Sequence, residues 1–309
     1  MVQRNEEDVI QVESTGENDD LIPRVGFGTY KLNGRKCFNV VQDAIEVGYR
    51  HIDTAIAYEN EAVIGRAISV SSVPRDEIFL TTKIKGYPEF LTYDRILKET
   101  NDCLRRLNTE YIDLLLIHWW NPHSSMEETF AALNQLVAAG KVKHIGVSNF
   151  SKNQLAEALD VSDRHVLTNQ VEYHPYHSQA ELVSFCQEND VILTAYSPLA
   201  EGLAATDDRL GSIGEKYDKS AAQVAIRWLI QQENVVTIPK TSSRERVSEN
   251  YDVFDFKLTG EEMNQISELE GPFWYRQNRE GGQIHKIRGV VGPVAELVLP
   301  GSIVAKIQS

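Results

Sequence analysis

Three observations predict an α/β chain closed as a (β/α)8 TIM barrel. Short apolar runs alternate eight times with amphipathic segments, the alternation fills residues 21–270, and no dinucleotide fingerprint opens the first helix. Eight strand-then-helix units favour a parallel sheet, and closing that sheet leaves no strand edge exposed. The span is about 250 residues, the usual size of such a barrel. The competing open, doubly wound sheet normally brings GxGxxG at its first turn. Here Gly26-Phe-Gly28-Thr-Tyr-Lys31 supplies two of the three glycines, and Asn33-Gly34 intervene before any helix.

Taken in order, Val9–Val12 and Leu21–Val25 flank the polar stretch Ser14–Asp20 and predict an N-terminal β-hairpin with a loose loop. Residues 1–20 are thus an acidic N-terminal segment holding part of that hairpin. Val25–Tyr30 then leads to a helix near 36–47, His51–Ala55 to 60–70, and Ile78–Ile84 to 92–106. Tyr111–His118 leads to a helix near 125–139, His144–Ser148 to 151–159, and Thr168–Tyr173 to 178–188. Val191–Tyr196 precedes helical segments near 207–216 and 220–231, and Val235–Pro239 precedes 243–250. Beyond Glu270 the rhythm breaks, and residues 271–309, with Gly281, Gly282, Gly289 and Gly292, predict an irregular C-terminal tail.

Composition narrows the partners. With 309 residues, 42% of them hydrophobic, the chain can bury a large core. Its net charge of −14 argues against nucleic acid or anionic membranes, which call for clustered Lys and Arg. Cys37, Cys103 and Cys186 are odd in number and far apart, which fits free buried thiols in a reducing cytosol. The start is acidic and lacks the apolar run of a secretory signal, and no stretch has the roughly 18 apolar residues of a membrane span. A cytoplasmic monomer acting on a small molecule is the expectation.

In such a barrel chemistry sits where strands end. Asp53 ends the second strand, Lys83 the third, His118 the fourth, Ser148-Asn149 the fifth, Tyr196-Ser197 the seventh and Lys240 the eighth, with Asn169-Gln170 on the sixth. An ionised Asp53 at a buried strand end needs a cation, and Lys83 supplies one. Tyr58 follows in the next loop. A protonated lysine about 4 Å away, worth roughly 4 kcal/mol at an effective dielectric near 20, would lower the phenol from its ordinary value of about 10. A phenol so tuned can protonate an alkoxide forming from a carbonyl, with His118 orienting the oxygen. The pairs His118/His123 and His174/His177 lack acidic or thiol companions at a recognisable spacing, so no metal site is expected.

Further blocks run in order over about 21–255: Gly26-Phe-Gly-Thr-Tyr30, Gly48-Tyr-Arg-His-Ile-Asp-Thr-Ala55 with Tyr58 and Asn60-Glu61, Thr82-Lys83, and Asp113 to His118. Gly146-Val-Ser-Asn-Phe150, Asn169 to Pro175, Ala195-Tyr-Ser-Pro-Leu199, and Ile238-Pro-Lys-Thr241 with Arg246 and Glu249-Asn250 complete the set. Together they make the chain resemble the aldo-keto reductase family, in the manner of prokaryotic members that reduce diketo-sugar acids and small aldehydes. The resemblance implies an NADPH-dependent oxidoreductase reducing aldehydes or ketones by direct hydride transfer. It makes Tyr58 the general acid, Asp53 and Lys83 its tuning pair, and His118 the group that positions the carbonyl. It also implies that Ser148, Asn149 and Gln170 hold the nicotinamide carboxamide and that Tyr196 stacks on the ring. Gly28, Thr29, Ser197 and Leu199 join the cofactor set, the last two beside the pyrophosphate. Lys240, Thr241, Ser243 and Arg246 correspond to the pocket for the 2′-phosphate, with Glu249 and Asn250 near the adenine. Lys and Arg beside a helix N-terminus suit a dianionic phosphate.

Tyr30 and Trp119 are expected at the substrate. The family usually places Pro two residues after its histidine, whereas Trp120 stands there in this chain. Relatives of the fold also serve as nucleotide-binding, redox-sensing regulatory subunits with little turnover, which is the alternative function.

Overall fold

The computed structural model describes residues 8–12 and 20–271. Most of the acidic start and of the irregular tail lies outside the described residues. β1 (Val9–Val12) and β2 (Asp20–Pro23) pair antiparallel with Ile10 opposite Ile22, forming the N-terminal hairpin. Eight further strands follow: β3 (Phe27–Gly28), β4 (His51–Asp53), β5 (Phe79–Ile84), β6 (Ile112–Ile117), β7 (Val142–Ser148), β8 (Val166–Glu172), β9 (Ile192–Tyr196) and β10 (Val235–Thr237). They lie in sequence order, and every neighbouring pair is parallel.

The ring closes between its first and last strands. Val25 bridges Thr237 in parallel, Gly26 N donates to Thr237 O at 2.8 Å, and Thr237 N donates to Arg24 O at 2.8 Å. Gly28 N reaches Pro239 O at 3.1 Å. A Cβ on Gly28 would lie 2.7 Å from Ile238 O, so this seam requires glycine there. The sequence run Val25–Tyr30 therefore contributes only a two-residue ladder plus the bridge at Val25.

The helices are α1 (Gly34–Val47), α2 (Glu61–Ser69), α3 (Tyr93–Leu107), α4 (Met126–Ala138), α5 (Lys152–Val161), α6 (Ala180–Glu188), α7 (Asp208–Gly214), α8 (Ala221–Ile230), α9 (Arg244–Tyr251) and α10 (Gly260–Ser267). Capping boxes start three of them: Ser151 with Gln154, Ser220 with Gln223, and Thr259 with Glu262. The reading of the sequence placed no helix at 260–267. Its Thr259-x-x-Glu262 signal lies after the eighth unit, where the alternation no longer asks for one.

Two apolar layers result from strand alternation. In β6, Leu114 and Leu116 join the cluster inside the ring, while Leu115 and Ile117 join the cluster under the helices. Val12 and Ile22 of the hairpin belong to the inner cluster with Phe79, Leu167, Ile192 and Val236. Most of those barrel residues lie toward the starts of their strands, so the hairpin plugs the base of the barrel and leaves the strand ends as the mouth. On β5, Phe79 points inward and Leu80 and Ile84 outward, which turns Lys83 into the ring one layer above Thr81. Among the described residues, no helix is long and apolar enough to cross a membrane.

Candidate active site

The strand ends bring Asp53, Lys83, Tyr58 and His118 to one place at the mouth. Lys83 is 0% exposed and Asp53 1%. Lys83 Nζ donates to Asp53 Oδ1 at 2.6 Å and to Thr54 O at 2.7 Å, and Gln170 Nε2 donates to Asp53 Oδ2 at 2.8 Å. Two buried ions cost several kcal/mol of lost hydration each, and only short contacts with further donors offset that. Here both carboxylate oxygens are matched. Burial pulls the Lys83 ammonium below its ordinary range, while Asp53 pushes back the other way.

Tyr58 ends a single 3-10 turn, Ile56–Tyr58, which Glu59 stops in the left-handed region at φ 57°. Its ring centroid lies 5.1 Å from Lys83 Nζ, 5.1 Å from the Tyr30 ring and 5.7 Å from the His118 ring. Burial raises the Tyr58 phenol well above its ordinary value, and Asp53, Tyr196 and Tyr30 push in the same direction. This reverses the sequence expectation of a lowered phenol. The lysine charge is held by a carboxylate 2.6 Å away, so the ring meets a nearly neutral pair in a low-dielectric setting. A phenol of this kind keeps its proton at neutral pH and can donate it. Burial, and then Lys83, push His118 down to about 3, so its imidazole is neutral. Neither the Tyr58 hydroxyl nor the His118 ring makes a hydrogen bond within the described residues.

The residues assigned to the nicotinamide form one web with this pair. Ser148 Oγ donates to Gln170 O at 2.9 Å, and Asn149, in the left-handed region at φ 60°, donates from Nδ2 to His118 O at 3.0 Å and to Ser148 Oγ at 2.9 Å. Tyr196 OH donates to Asn149 Oδ1 at 2.8 Å. Ser197, at φ 52°, turns the chain toward Leu199, which packs on the outer core. Thr29 Oγ1 donates to Asp53 O at 2.8 Å, tying the first loop to the second strand. Asn60 strengthens that tie by donating to Thr29 O at 3.0 Å and Leu32 O at 2.9 Å. Nothing in the spacing marked Asn60 for this role, although it stands in one of the matching blocks.

Around the mouth, Tyr30 is 55% exposed. Trp119 is half-buried, with its backbone pressed against Gly86, whose added Cβ would lie 2.2 Å from Trp119 O. Trp120 packs on Phe150, ring centroids 5.9 Å apart, and belongs to the outer core.

Along the seam, Thr241 is buried and its hydroxyl accepts from Ser243 N at 3.2 Å. Ser243 is the N-cap residue of α9, and its side chain makes no cap bond. Lys240 and Arg246 are exposed. Glu249 accepts a hydrogen bond from Ser220 Oγ at 2.6 Å, and Asn250 is buried. Arg244, by contrast, is a surface residue paired with Asp43 at 2.7 Å and Glu46 at 2.8 Å on α1. Sequence reasoning missed Lys31 and Lys36, which face Lys240 across the seam and, with burial and Arg246, hold its ammonium below the ordinary range.

The Asp53–Lys83–Tyr58–His118 set, with a polar web behind it and an anion-suited seam beside it, can protonate an oxygen at the mouth. Comparison with known proteins agrees. A profile of the Aldo/keto reductase family matches residues 24–270. The chain is 42% identical over 259 residues to a 9,11-endoperoxide prostaglandin H2 reductase of Trypanosoma cruzi (strain CL Brener), covering 82% of this chain and 90% of that one. It is 41% identical over 249 residues to a glyoxal reductase of Bacillus subtilis (strain 168), covering 80% and 89%. The crystal structure of an aldo/keto reductase from Brucella melitensis superposes with a TM-score of 0.77 at 39% identity, covering 85% of this chain and 100% of that one. On the strength of fold, site and these matches, the chain belongs to the aldo/keto reductase family and is an oxidoreductase of carbonyl compounds.

Proposed function

We propose that this chain reduces small aldehydes or ketones to alcohols with NADPH, using Tyr58 as the general acid. The observation that carries the reading is the Tyr58 hydroxyl, without a hydrogen bond among the described residues, set over the buried Lys83–Asp53 pair and beside a neutral His118. A carbonyl oxygen placed between them accepts from Tyr58 and is oriented by the imidazole. As the oxygen gains negative charge, the Tyr58 proton moves to it, and Lys83 stabilises the resulting phenolate. Asp53 holds Lys83 in place. The hydroxyl is restored when the phenolate takes up a proton.

NADPH, when bound, supplies the hydride. Ser148, Asn149 and Gln170 suit its carboxamide, because Gln170 gives an amide hydrogen to Asp53 and keeps an oxygen for an amide donor. Tyr196 would stack on the ring, Ser197 and Leu199 would border the pyrophosphate, and Gly28 and Thr29 would join the cofactor cleft. Lys240, Thr241, Ser243 and Arg246 suit a 2′-phosphate, and Glu249 and Asn250 the adenine. Tyr30 and Trp119 frame the substrate. Glyoxal and related dicarbonyls form the first class to examine, since a relative 41% identical is named a glyoxal reductase.

The test follows NADPH oxidation by the full chain over dicarbonyls, aromatic aldehydes and keto-sugars, with NADH at the same concentration in parallel. Turnover that prefers NADPH is the expected result. Equal rates with NADH would overturn the phosphate assignment. Tight nucleotide binding with negligible turnover across the panel would favour a regulatory subunit instead.

A further inference from the structure

We propose that Lys36, in the first turn of α1, determines cofactor specificity by forming the second jaw of a clamp on the 2′-phosphate, opposite Lys240 and Arg246 across the barrel seam. The inference rests on the NADPH reading above and adds a residue from the other end of the chain.

The seam places the two jaws together. Gly28 lies against Lys240, with only 3.5 Å between a built Cβ and Lys240 Cβ, and the chain then turns through Lys31 at φ 61° into α1. α9 packs against the C-terminal part of α1, with Arg244 bridging to Asp43 and Glu46 and Tyr49 OH donating to Val247 O at 3.2 Å. Lys36, seven residues before Asp43, therefore lies on the α9-facing side of α1, about two turns nearer the rim at which Lys240 precedes α9. Asn33 and Ser243, the N-cap residues of α1 and α9, make no side-chain cap hydrogen bonds.

Charge supplies the second argument. The chain carries 45 acidic against 31 basic residues, yet Lys31, Lys36, Lys240 and Arg246 gather here and none forms an ion pair with a described residue. The nearest paired acid on α1, Asp43, shares the face of Lys36 but lies about two turns further along the helix, where Arg244 occupies it. Four exposed cations held together with no paired acid among the described residues repel one another, and Lys36 is the largest charge effect on Lys240 after its own burial. A dianionic group among these cations relieves the repulsion. A ribose hydroxyl, the only group NADH offers there, relieves nothing.

The experiment is calorimetric titration of the full-length chain with 2′,5′-ADP and with 5′-AMP, on wild type, Lys36→Glu, Lys36→Arg and Arg35→Glu. Arg35 is an exposed neighbour in the same turn and controls for net charge. Wild type should prefer 2′,5′-ADP. Lys36→Glu should weaken 2′,5′-ADP by about tenfold or more while 5′-AMP stays within about twofold, as expected for a lost charge-assisted contact. Lys36→Arg should retain most of the preference, and Arg35→Glu should shift it by no more than about twofold, the scale of an exposed charge. The NADPH-over-NADH ratio of kcat/KM should fall in Lys36→Glu by the same factor as the 2′,5′-ADP affinity. A wild type without preference overturns the NADPH reading itself. A preference that survives Lys36→Glu, or falls equally in Arg35→Glu, overturns the clamp and leaves that reading standing.

Discussion

Two buried aspartates mark opposite ends of the barrel, and their surroundings differ in kind. Asp113, near the start of β6, accepts from Arg75 Nη2 at 2.7 Å and Leu80 N at 3.0 Å, and pairs with Lys143 Nζ at 3.1 Å. Arg75 also donates to Ile78 O and Tyr111 O and stacks over the Tyr111 ring at 4.3 Å. Both Asp113 oxygens are matched, so the cluster stitches β5, β6 and β7 together. Asp53, at the mouth, is matched as fully, but its partner Lys83 lies under a phenol and near an imidazole that make no hydrogen bond among the described residues. The proposed chemistry thus sits at the end where a phenol and an imidazole are left open beside a matched ion pair.

The sharpest break in this comparison comes from deleting one hydroxyl. Tyr58→Phe should reduce turnover by about 10²–10⁴-fold, the usual contribution of a positioned acid, with nucleotide affinity and Tm unchanged. Retained turnover would remove Tyr58 from the chemistry. At the base the effect should invert: Asp113→Ala should lower stability by about 2 kcal/mol, because it strands a buried amide and two cations that are only partly exposed, while kcat stays near wild type. Denaturant midpoints beside initial rates separate the two, and a drop in kcat without loss of stability would refute the structural role of Asp113.

Much of this could be read from the residues. Strands covered on both faces appear as continuous apolar runs, as in Leu114–Ile117, and capping pairs such as Ser151 with Gln154 mark helix starts. The pairing of Asp53 with Lys83 followed from the cost of an unmatched carboxylate. The direction of the Tyr58 shift did not, because the sequence names the neighbouring charges and says nothing of the water removed around the ring. Lys36 escaped notice for a related reason. A lysine in the first turn of an amphipathic helix reads as a solvated face until closure of the barrel brings α9 beside it.

A histidine at each end provides a further comparison. His51, at the base, packs edge-on to Phe79 and shares a hydrogen bond with Thr81 Oγ1 at 3.1 Å, and burial pushes it down to about 4. His118, at the mouth, is pushed down to about 3. Both are neutral when folded, and the unfolded chain takes up protons near the ordinary value of 6.5. Between that value and the folded ones the unfolded state binds more protons, so stability is fully present above 6.5 and falls as pH drops toward 4. At pH 5.5 each histidine should cost about 1 kcal/mol, read from urea midpoints against pH 7.5. His51→Gln and His118→Gln should each flatten part of the slope, and an unchanged slope in both would refute the assignment.

The smallest effects come from matched glycines. A Cβ on Gly65 would sit 2.2 Å from Leu107 O, and one on Gly86 2.2 Å from Trp119 O. Gly65→Ala should lower Tm without altering substrate preference. Gly86→Ala should displace Trp119 and change the kcat/KM ratio of an aromatic aldehyde to glyoxal by about threefold, within what pocket reshaping yields. An unaltered ratio would place Trp119 away from the substrate.

The seam also sets a timetable for synthesis. Arg24 donates to Val235 O across 211 residues of chain, and Val25 gains its strand partner only at Thr237. A growing polypeptide that emerges from its N-terminus must therefore carry β3 with one ladder edge open while seven more strands are made. Long-range closure of this kind is slow, and open edges recruit other chains. The nascent barrel is most exposed to aggregation just before its last strand arrives.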